Sequence, residues 1–506
     1  MKVRIASAGT GKTASLVLRY LELIASGTPL RRIAGVTFTR KAADELRVRV
    51  GMAIEEVLNT GKHLAFVAPE GSEALFQEAL CEIAGATLST IHGFMAQCLR
   101  MTAPMLALDP DFFILGDWEA LALFEEEWKT LGYLAQDPQH PLHGQASPEL
   151  TEPLLHLFSR RSLAEVFEPA PGEANRHLLE VYQAVYAAYQ ARLGARLLSP
   201  SELERKALEL ARHPKAIARV LERVKVLLVD EYQDVNPLQG AFFAALEQAG
   251  LQIEVVGDPK QSIYAFRNAD LSVFRKALRQ GQPQPPLTRT YRHSQVLVRF
   301  LNALTRHLAE KGQGFGPEEA PPVEGTRPEG GRLEVHWVVG EAPLEELRRQ
   351  EARVLAERLQ ALSTTTPYAE MAVLVRSYKS VRFLEEAFSE ARIPYVLLQG
   401  RGYYERQEVR DLYHALRAAL QPRGLSLLAF LRSPFGVRAS ASPEGDRPLG
   451  ARSLLRPEGD RPLGEQRAKP VFPEGDRPFG QHTEAGSLKP LELALIEEVL
   501  QADDPL

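Results

Sequence analysis

The chain opens with a short apolar run, "VRIA" (3–6), and passes through a polar, glycine-containing turn into "ASLVLRYLELIA" (14–25), where apolar residues recur at helical spacing. A second apolar run, "IAGVTF" (33–38), leads in the same way into "KAADELRVRVGMAIEEVL" (41–58). Continuous apolar runs of this length, each followed by an amphipathic helix, predict strands of a parallel sheet covered on both faces. The pattern returns at "VKVLLVDE" (224–231) and "IEVVGD" (253–258). Between about 96 and 200 the texture is helical, as in "ALALFEEEWKTLGYL" (120–134) and "HLLEVYQAVYAAYQARL" (177–193), which predicts a helical domain inserted into the α/β one. The stretch "GFGPEEAPPVEGTRPEGG" (314–331) has loop or linker composition. Beyond it, "RLEVHWVV" (332–339), "MAVLVRS" (371–377) and "IPYVLLQG" (393–400) are three strand candidates, so a second α/β domain is expected over about 281–436.

Composition narrows the class. A 506-residue chain with 45% hydrophobic and 25% charged residues is globular and long enough for several cores. No apolar run reaches membrane-spanning length, and Gly and Lys break the first run at once, unlike a signal peptide. Two cysteines, Cys81 and Cys98, exclude a disulfide framework and make a reducing cytoplasm the expected location. The net charge of −5 means that any nucleic-acid contact depends on local basic patches.

The polar turn after the first strand carries the strongest chemistry. "ASAGTGKT" (6–13) sits between a strand and a helix, where backbone N–H groups and a helix amino terminus converge on an anion. Ala6, Ser7, Ala8, Gly9, Thr10 and Gly11 form the cradle; Lys12 is placed to reach terminal phosphates and Thr13 to ligate magnesium. Ala6 stands where the pattern usually has its first glycine. The second element is "VLLVDEYQD" (226–234), an apolar strand ending in acids at the edge where ligands bind in such folds. Asp230 is expected to hold magnesium and Glu231 to polarise an attacking water.

With these elements in hand, the chain resembles the UvrD/Rep-like branch of superfamily 1 DNA helicases, in wording nearest the RecB and AddA subunits of helicase–nucleases. The resemblance runs over roughly residues 4–436 through "VTFTRKAADELRVRV" (36–50), "ATLSTIHGF" (86–94), "DEYQDVNPLQ" (230–239), "VGDPKQSIYAFRNAD" (256–270), "LTRTYRHS" (287–294) and "GRGYYERQEVRDL" (400–412). It implies a P-loop NTPase with two RecA-like parallel-sheet domains, a helical insertion in the first and a truncated insertion in the second. The domain plan is then 1–95 with 200–280 as the first RecA-like domain, 96–199 as the insertion and 281–436 as a partial second RecA-like domain. It implies ATP and magnesium as cofactors, and single-stranded DNA, or duplex with a single-stranded tail, as partner. Gln261 would sense the terminal phosphate, Tyr291 stack on adenine and Arg292 reach the terminal phosphate as a fixed positive charge. Phe38, Tyr264 and Phe266 would stack on bases, while Thr37, Thr39, Thr90, His92 and Arg267 would touch phosphate or sugar. Taken singly, Phe38 and Phe266 are ordinary core residues and His92 a loop residue; it is the ordered constellation that makes them contacts.

Three departures qualify the resemblance. Only five residues precede Ala6, leaving no room for the family's adenine-reading glutamine, and Ala14 stands where relatives often place an arginine against the base. The family's later "SKGLEF"-like and "YVALTRA"-like motifs, the second carrying another phosphate-reaching arginine, are not found, and neither is a nuclease domain. In their place "SPEGDRPLG" (442–450) recurs as "RPEGDRPLG" (456–464) and "FPEGDRPFG" (472–480). Residues 437–488 are expected to be a solvated low-complexity segment and 489–506 to contain a helix. Two readings therefore stand: a 3′-to-5′ helicase or translocase of recombinational DNA repair, or a truncated or split homologue that binds ATP and single-stranded DNA but needs another chain, such as a second helicase–nuclease subunit, for turnover.

Overall fold

The computed structural model of the protein describes residues 1–140, 143–144, 147–163, 167–169, 172–328, 330–398 and 407–420, with 427, 430, 431 and 433. The repeats, the expected terminal helix and Glu405 with the first part of 400–412 lie outside the described residues. Two compact units are present, one comprising residues 1–333 and the other beginning at Glu334.

The first unit begins with β1 (Lys2–Ala6), α1 (Lys12–Ala25), β2 (Ile33–Thr37) and α2 (Arg40–Thr60). A small hairpin of β3 (Lys62–His63) and β4 (Phe66–Val67) follows, then α3 (Glu73–Glu82), β5 (Leu88–Thr90) and α4 (Ile91–Thr102). The helical excursion comprises β6 (Phe113–Ile114), α5 (Asp117–Leu134), α6 (Thr151–Ser159), α7 (Glu173–Leu193) and β7 (Leu197–Leu198). The chain returns through α8 (Pro200–Arg212), α9 (Pro214–Arg223), β8 (Val226–Val229), α10 (Pro237–Gln248), β9 (Gln252–Gly257) and α11 (Leu271–Gln280). Last come β10 (Gln282–Leu287), β11 (Arg289–Thr290), α12 (Gln295–Glu310) and β12 (Glu324–Gly325).

Six strands form one sheet in the order β10-β1-β9-β8-β2-β5, every neighbouring pair parallel. Alternate residues of a strand face opposite sides of a sheet, which explains the unbroken apolar runs. Leu227 and Val229 of β8 enter one core with Phe94, Phe242, Phe243 and Phe274, whereas Val226 and Leu228 enter the other with Leu16, Tyr20 and Leu46. The strand β10, "QPQPPL", is not legible as one because proline cannot donate to a ladder. It is tolerated here because, among the described residues, β10 is an edge strand with β1 as its one sheet neighbour.

The helical excursion has its own core of Phe124, Trp128, Leu154, Phe158, Val185 and Tyr189, with the Phe124 and Phe158 rings stacked at 4.2 Å. In the second unit, α13 (Leu344–Ser363) and α14 (Val381–Glu390) enclose Ala352, Ala356, Leu359, Phe383 and Phe388, and α15 (Gln407–Leu420) follows. The segments 332–339, 371–377 and 393–398, expected as strands, carry no ladder among the described residues. A buried strand needs neighbours for its N–H and C=O groups and cover on both faces. Val339, Leu374 and Val396 are instead 89%, 95% and 84% exposed. No helix among the described residues is long and apolar enough to cross a membrane.

Candidate nucleotide and nucleic-acid site

β1 ends at the fully buried Ala6 and α1 begins at Lys12, so residues 7–11 turn over the carboxyl edge of the sheet. Gly9 and Gly11 adopt φ of 73° and 84°, a region that side chains with a Cβ rarely enter. A Cβ on Gly9 would also lie 2.6 Å from Arg292 Cβ and 2.7 Å from Thr290 Oγ1. The Thr10 hydroxyl donates to the Ser7 carbonyl at 2.7 Å and closes the turn. Gly11 offers α1 no side-chain cap, and the first turn, which includes Thr13, carries no acid. The orphan N–H groups of that turn and the helix dipole therefore face the loop with positive potential.

The segment after β10 is fastened to this loop. Thr290 Oγ1 donates to the Ala8 carbonyl at 3.2 Å and the Tyr291 N–H to the Gly9 carbonyl at 2.9 Å. Tyr291, 58% exposed, and the exposed Arg292 thus stand beside the loop within the same compact unit.

Opposite them, β8 delivers the acids. The Asp230 N–H donates to the Val36 carbonyl at 2.9 Å, so the ladder with β2 runs to the last residue before the turn. Glu231 has φ 52°, a left-handed conformation unusual for a non-glycine residue and common where a functional turn must aim a side chain. Lys12 Nζ lies 2.6 Å from Glu231 Oε2 and 3.5 Å from Gln261 Oε1, so the three residues converge. Burial, and then the charge of Glu231, push the Asp230 carboxyl up to about 6 and that of Asp234 up to about 7. Asp234 Oδ1 is buried with no hydrogen-bond partner. Two buried acids beside a third are an excess of negative charge that a divalent cation relieves. Among the described residues no group of three or more His, Cys, Asp or Glu could hold a metal.

The turn after β9 reaches both sides of this site. Gln261 Nε2 donates to Asp258 Oδ2 at 2.6 Å, and the Asp258 N–H to Gln233 Oε1 at 2.9 Å. A few residues on, the Tyr264 ring lies 4.7 Å from Phe38 and 5.6 Å from Phe266. The Arg267 guanidinium sits 5.5 Å from the Tyr264 ring and 5.9 Å from those of Phe38 and Phe266. Phe266 is 69% exposed and Phe38 half-buried, so neither is a core residue. An exposed run of rings with a cation among them is a sequence-tolerant surface for unstacked bases.

The other expected contacts are placed unevenly. Thr39 and Thr90 cap α2 and α4, accepting from the N–H groups of Ala42 and Gly93. His92 lies in the first turn of α4 with its side chain 42% exposed. Thr37 is buried and its hydroxyl donates to the Thr39 carbonyl at 2.9 Å, so it faces the protein and is not brought to the surface.

Residues 3–282 match the UvrD/REP helicase N-terminal domain, and residues 286–436 the UvrD-like helicase C-terminal domain. The chain belongs to the UvrD/Rep helicase family. It is 26% identical over 424 residues to the ATP-dependent DNA helicase PcrA of Staphylococcus epidermidis, covering 82% of this chain and 51% of that one. It is 29% identical over 461 residues to the ATP-dependent DNA helicase UvrD1 of Mycobacterium tuberculosis, covering 86% and 53%. With the ATP-dependent DNA helicase Rep of Escherichia coli it shares 28% identity over 449 residues, covering 85% and 57%. The chain thus spans about half the length of the curated relatives it matches. UvrD/Rep members are P-loop NTPases, which agrees with the parallel sheet and the loop after its first strand.

Reading this UvrD/Rep site from sequence missed two of its residues. Lys260 Nζ lies 3.0 Å from Ser7 Oγ and 2.9 Å from Asp258 Oδ1, which brings a second ammonium to the phosphate loop. Gln233 Nε2 donates to Glu231 Oε2 at 2.9 Å and so orients that carboxylate. Both lie inside quoted motifs, "DPKQ" and "DEYQD"; Lys260 is brought to the loop by a contact with Ser7, far away in the chain, whereas Gln233 acts on a neighbour two residues before it.

Proposed function

We propose that the chain is an ATP-hydrolysing DNA helicase or translocase that moves 3′ to 5′ along single-stranded DNA in recombinational repair, nearest in wording to RecB and AddA. The observation that carries this reading is the turn after β9. Gln261 reaches Lys12 in the phosphate loop, and Tyr264 three residues later packs at a tilt against Phe38 on the aromatic surface. A change at the nucleotide therefore has only one short turn to cross before it alters the grip on a base. The domain plan of 1–95 with 200–280, 96–199 and 281–436 belongs to the same reading.

Lys12 is paired with Glu231. A terminal phosphate competes for Lys12, and the released Glu231 carboxylate, oriented by Gln233, takes up an attacking water as general base. Thr13 and Asp230 would hold magnesium, which neutralises charge developing on the phosphates. Arg292 stands beside Gly9 to complement the same charge. Phe38, Tyr264, Phe266 and Arg267 hold the strand by base faces, while Thr39, Thr90 and His92 serve its backbone.

The test is magnesium-dependent ATP hydrolysis with and without single-stranded DNA, beside Lys12→Ala. Many-fold stimulation by DNA that disappears in the variant supports a motor, and turnover indifferent to DNA rejects it. Arrival kinetics at strands labelled on the 3′ or the 5′ end decide the direction. A second reading, in which further polypeptide is required for turnover, is favoured by the exposed Val339, Leu374 and Val396 on ladder-free segments of the second unit. DNA and nucleotide binding without turnover would select it.

A further inference from the structure

Glu204 lies on α8, is 1% exposed, and has no part in the cycle just described. Its Oε1 accepts from His92 Nε2 at 2.9 Å, Asn236 Nδ2 at 2.8 Å and Gln239 Nε2 at 2.7 Å. Asn236 and Gln239 are themselves immobilised, because they form the capping box of α10: the Gln239 N–H donates to Asn236 Oδ1 at 2.9 Å and the Asn236 N–H to Gln239 Oε1 at 3.3 Å. Two amides fixed by a helix cap thus pin the carboxylate in place, and the third donor is an imidazole whose ring reaches the surface.

The electrostatics agree with this geometry. Burial opposes charge on both partners, yet their mutual hydrogen bond and attraction prevail, holding Glu204 below the usual carboxylate range and raising His92, with Asp117 adding to the latter. Asn236 and Gln239 of the α10 cap give the Oε1 atom of the pair two further donors, while Oε2 is buried without a hydrogen-bond partner. With Nε2 occupied by Glu204, the Nδ1–H of a protonated His92 is the donor left on a side chain that is 42% exposed.

We infer that Glu204 is a positioning residue whose buried charge fixes His92 as a cationic donor to a backbone phosphate of bound single-stranded DNA. The inference rests on the motor reading above and adds to it a residue that touches neither nucleotide nor strand. It also ties a DNA contact on α4 to the helix that follows Asp230 and Glu231, since one carboxylate oxygen is shared between them.

The variant that isolates the charge is Glu204→Gln. Its amide oxygen can replace Oε1 as acceptor for all three donors, so the packing is kept while the negative charge is removed. Binding of a fluorescently labelled oligothymidylate is measured by anisotropy over a series of salt concentrations for the wild-type chain, E204Q, His92→Gln and the double variant. Melting temperature and affinity for a fluorescent ATP analogue serve as controls. Loss of one phosphate contact makes the plot of log K against log salt shallower by about 0.7. E204Q is expected to show that change and an affinity about threefold to tenfold lower at low salt, with nucleotide affinity at the wild-type value and a melting temperature that falls but stays above the assay temperature. H92Q should show the same slope change, and the double variant should lose nothing further. A folded E204Q with wild-type slope overturns the inference, as do additive losses in the double variant. Should E204Q not fold, a wild-type slope in H92Q overturns it equally. A wild-type chain with no affinity for the oligonucleotide would instead reject the motor reading, and the inference with it.

Discussion

Truncating Phe266 to Ala removes the outer ring of the aromatic surface. The side chain is 69% exposed and packs only loosely, its ring 5.6 Å from that of Tyr264, so the fold should lose no more than about 0.5 kcal/mol. The cost to DNA binding is larger. A base stacked on an aromatic side chain is worth about 1–3 kcal/mol, which corresponds to roughly fivefold to 150-fold in Kd. Two features place this site toward the lower end. Tyr264 and Phe38, 4.7 Å apart, remain to receive the base, and Arg267 keeps its position 5.5 Å from the Tyr264 ring. About a tenfold loss is therefore expected. Anisotropy titrations with labelled oligothymidylate and oligodeoxyadenylate should show the same factor for both, because a ring face does not read sequence. The DNA concentration that half-stimulates ATP hydrolysis should rise by that factor, while turnover at saturating DNA holds. A folded F266A variant with wild-type DNA affinity would refute the reasoning. So would a comparable loss of nucleotide affinity in the absence of DNA, since the ring would then act on the phosphate site.

Three further expectations concern the phosphate site. Glu231→Gln should keep nucleotide affinity and lower turnover by about 10²–10⁴-fold in a coupled ATPase assay, with turnover near wild type excluding Glu231 as general base. Gly9→Ala places a Cβ 2.6 Å from Arg292 Cβ at φ 73°, so it should cost about 2–5 kcal/mol in denaturant unfolding; an unchanged midpoint would mean that the loop relaxes freely. Asp234 is raised to about 7 from an unfolded value of 3.8, so its contribution to stability is complete below the unfolded value and is lost as pH rises through the folded one. Asp234→Asn should accordingly melt above the wild-type chain at pH 8, with the gap narrowing at pH 5, and a gap independent of pH would contradict this electrostatic account.

What could be read from the sequence, and what could not, divides along a physical line. Strands β1, β2, β8 and β9 announce themselves because both of their faces are buried, which forces an unbroken apolar run. The loop 6–13 is legible because close approach to an anion demands glycine at positions such as Gly9, where the structure has no room for a Cβ. By contrast β10 is hidden, since an edge position lets Pro283, Pro285 and Pro286 stand in a strand. The segments at 332–339, 371–377 and 393–398 fail in the opposite sense: they carry the apolar content of strands, but content alone supplies no ladder partner.

The same division runs through the site and explains why Glu204 escaped notice. Lys12, Glu231 and Gln261 could be named in advance because each lies in a motif whose chemistry requires its residue type, and they meet within 3.5 Å. Lys260 and Gln233 lie in the same motifs, yet their value depends on Ser7, Asp258 and Glu231 standing where folding puts them. Glu204 has no motif at all. In "SPSELERKALELAR" (199–212) it reads as one more acid on a polar helix, and an acid on a helix is ordinarily solvated. The donors to its Oε1 come from α4 and α10, elements that lie more than a hundred residues before it and some thirty after it. A carboxylate placed there at the cost of desolvation, sharing one oxygen between His92 of α4 and the cap of the helix that follows Asp230 and Glu231, fits the positioning role proposed for it.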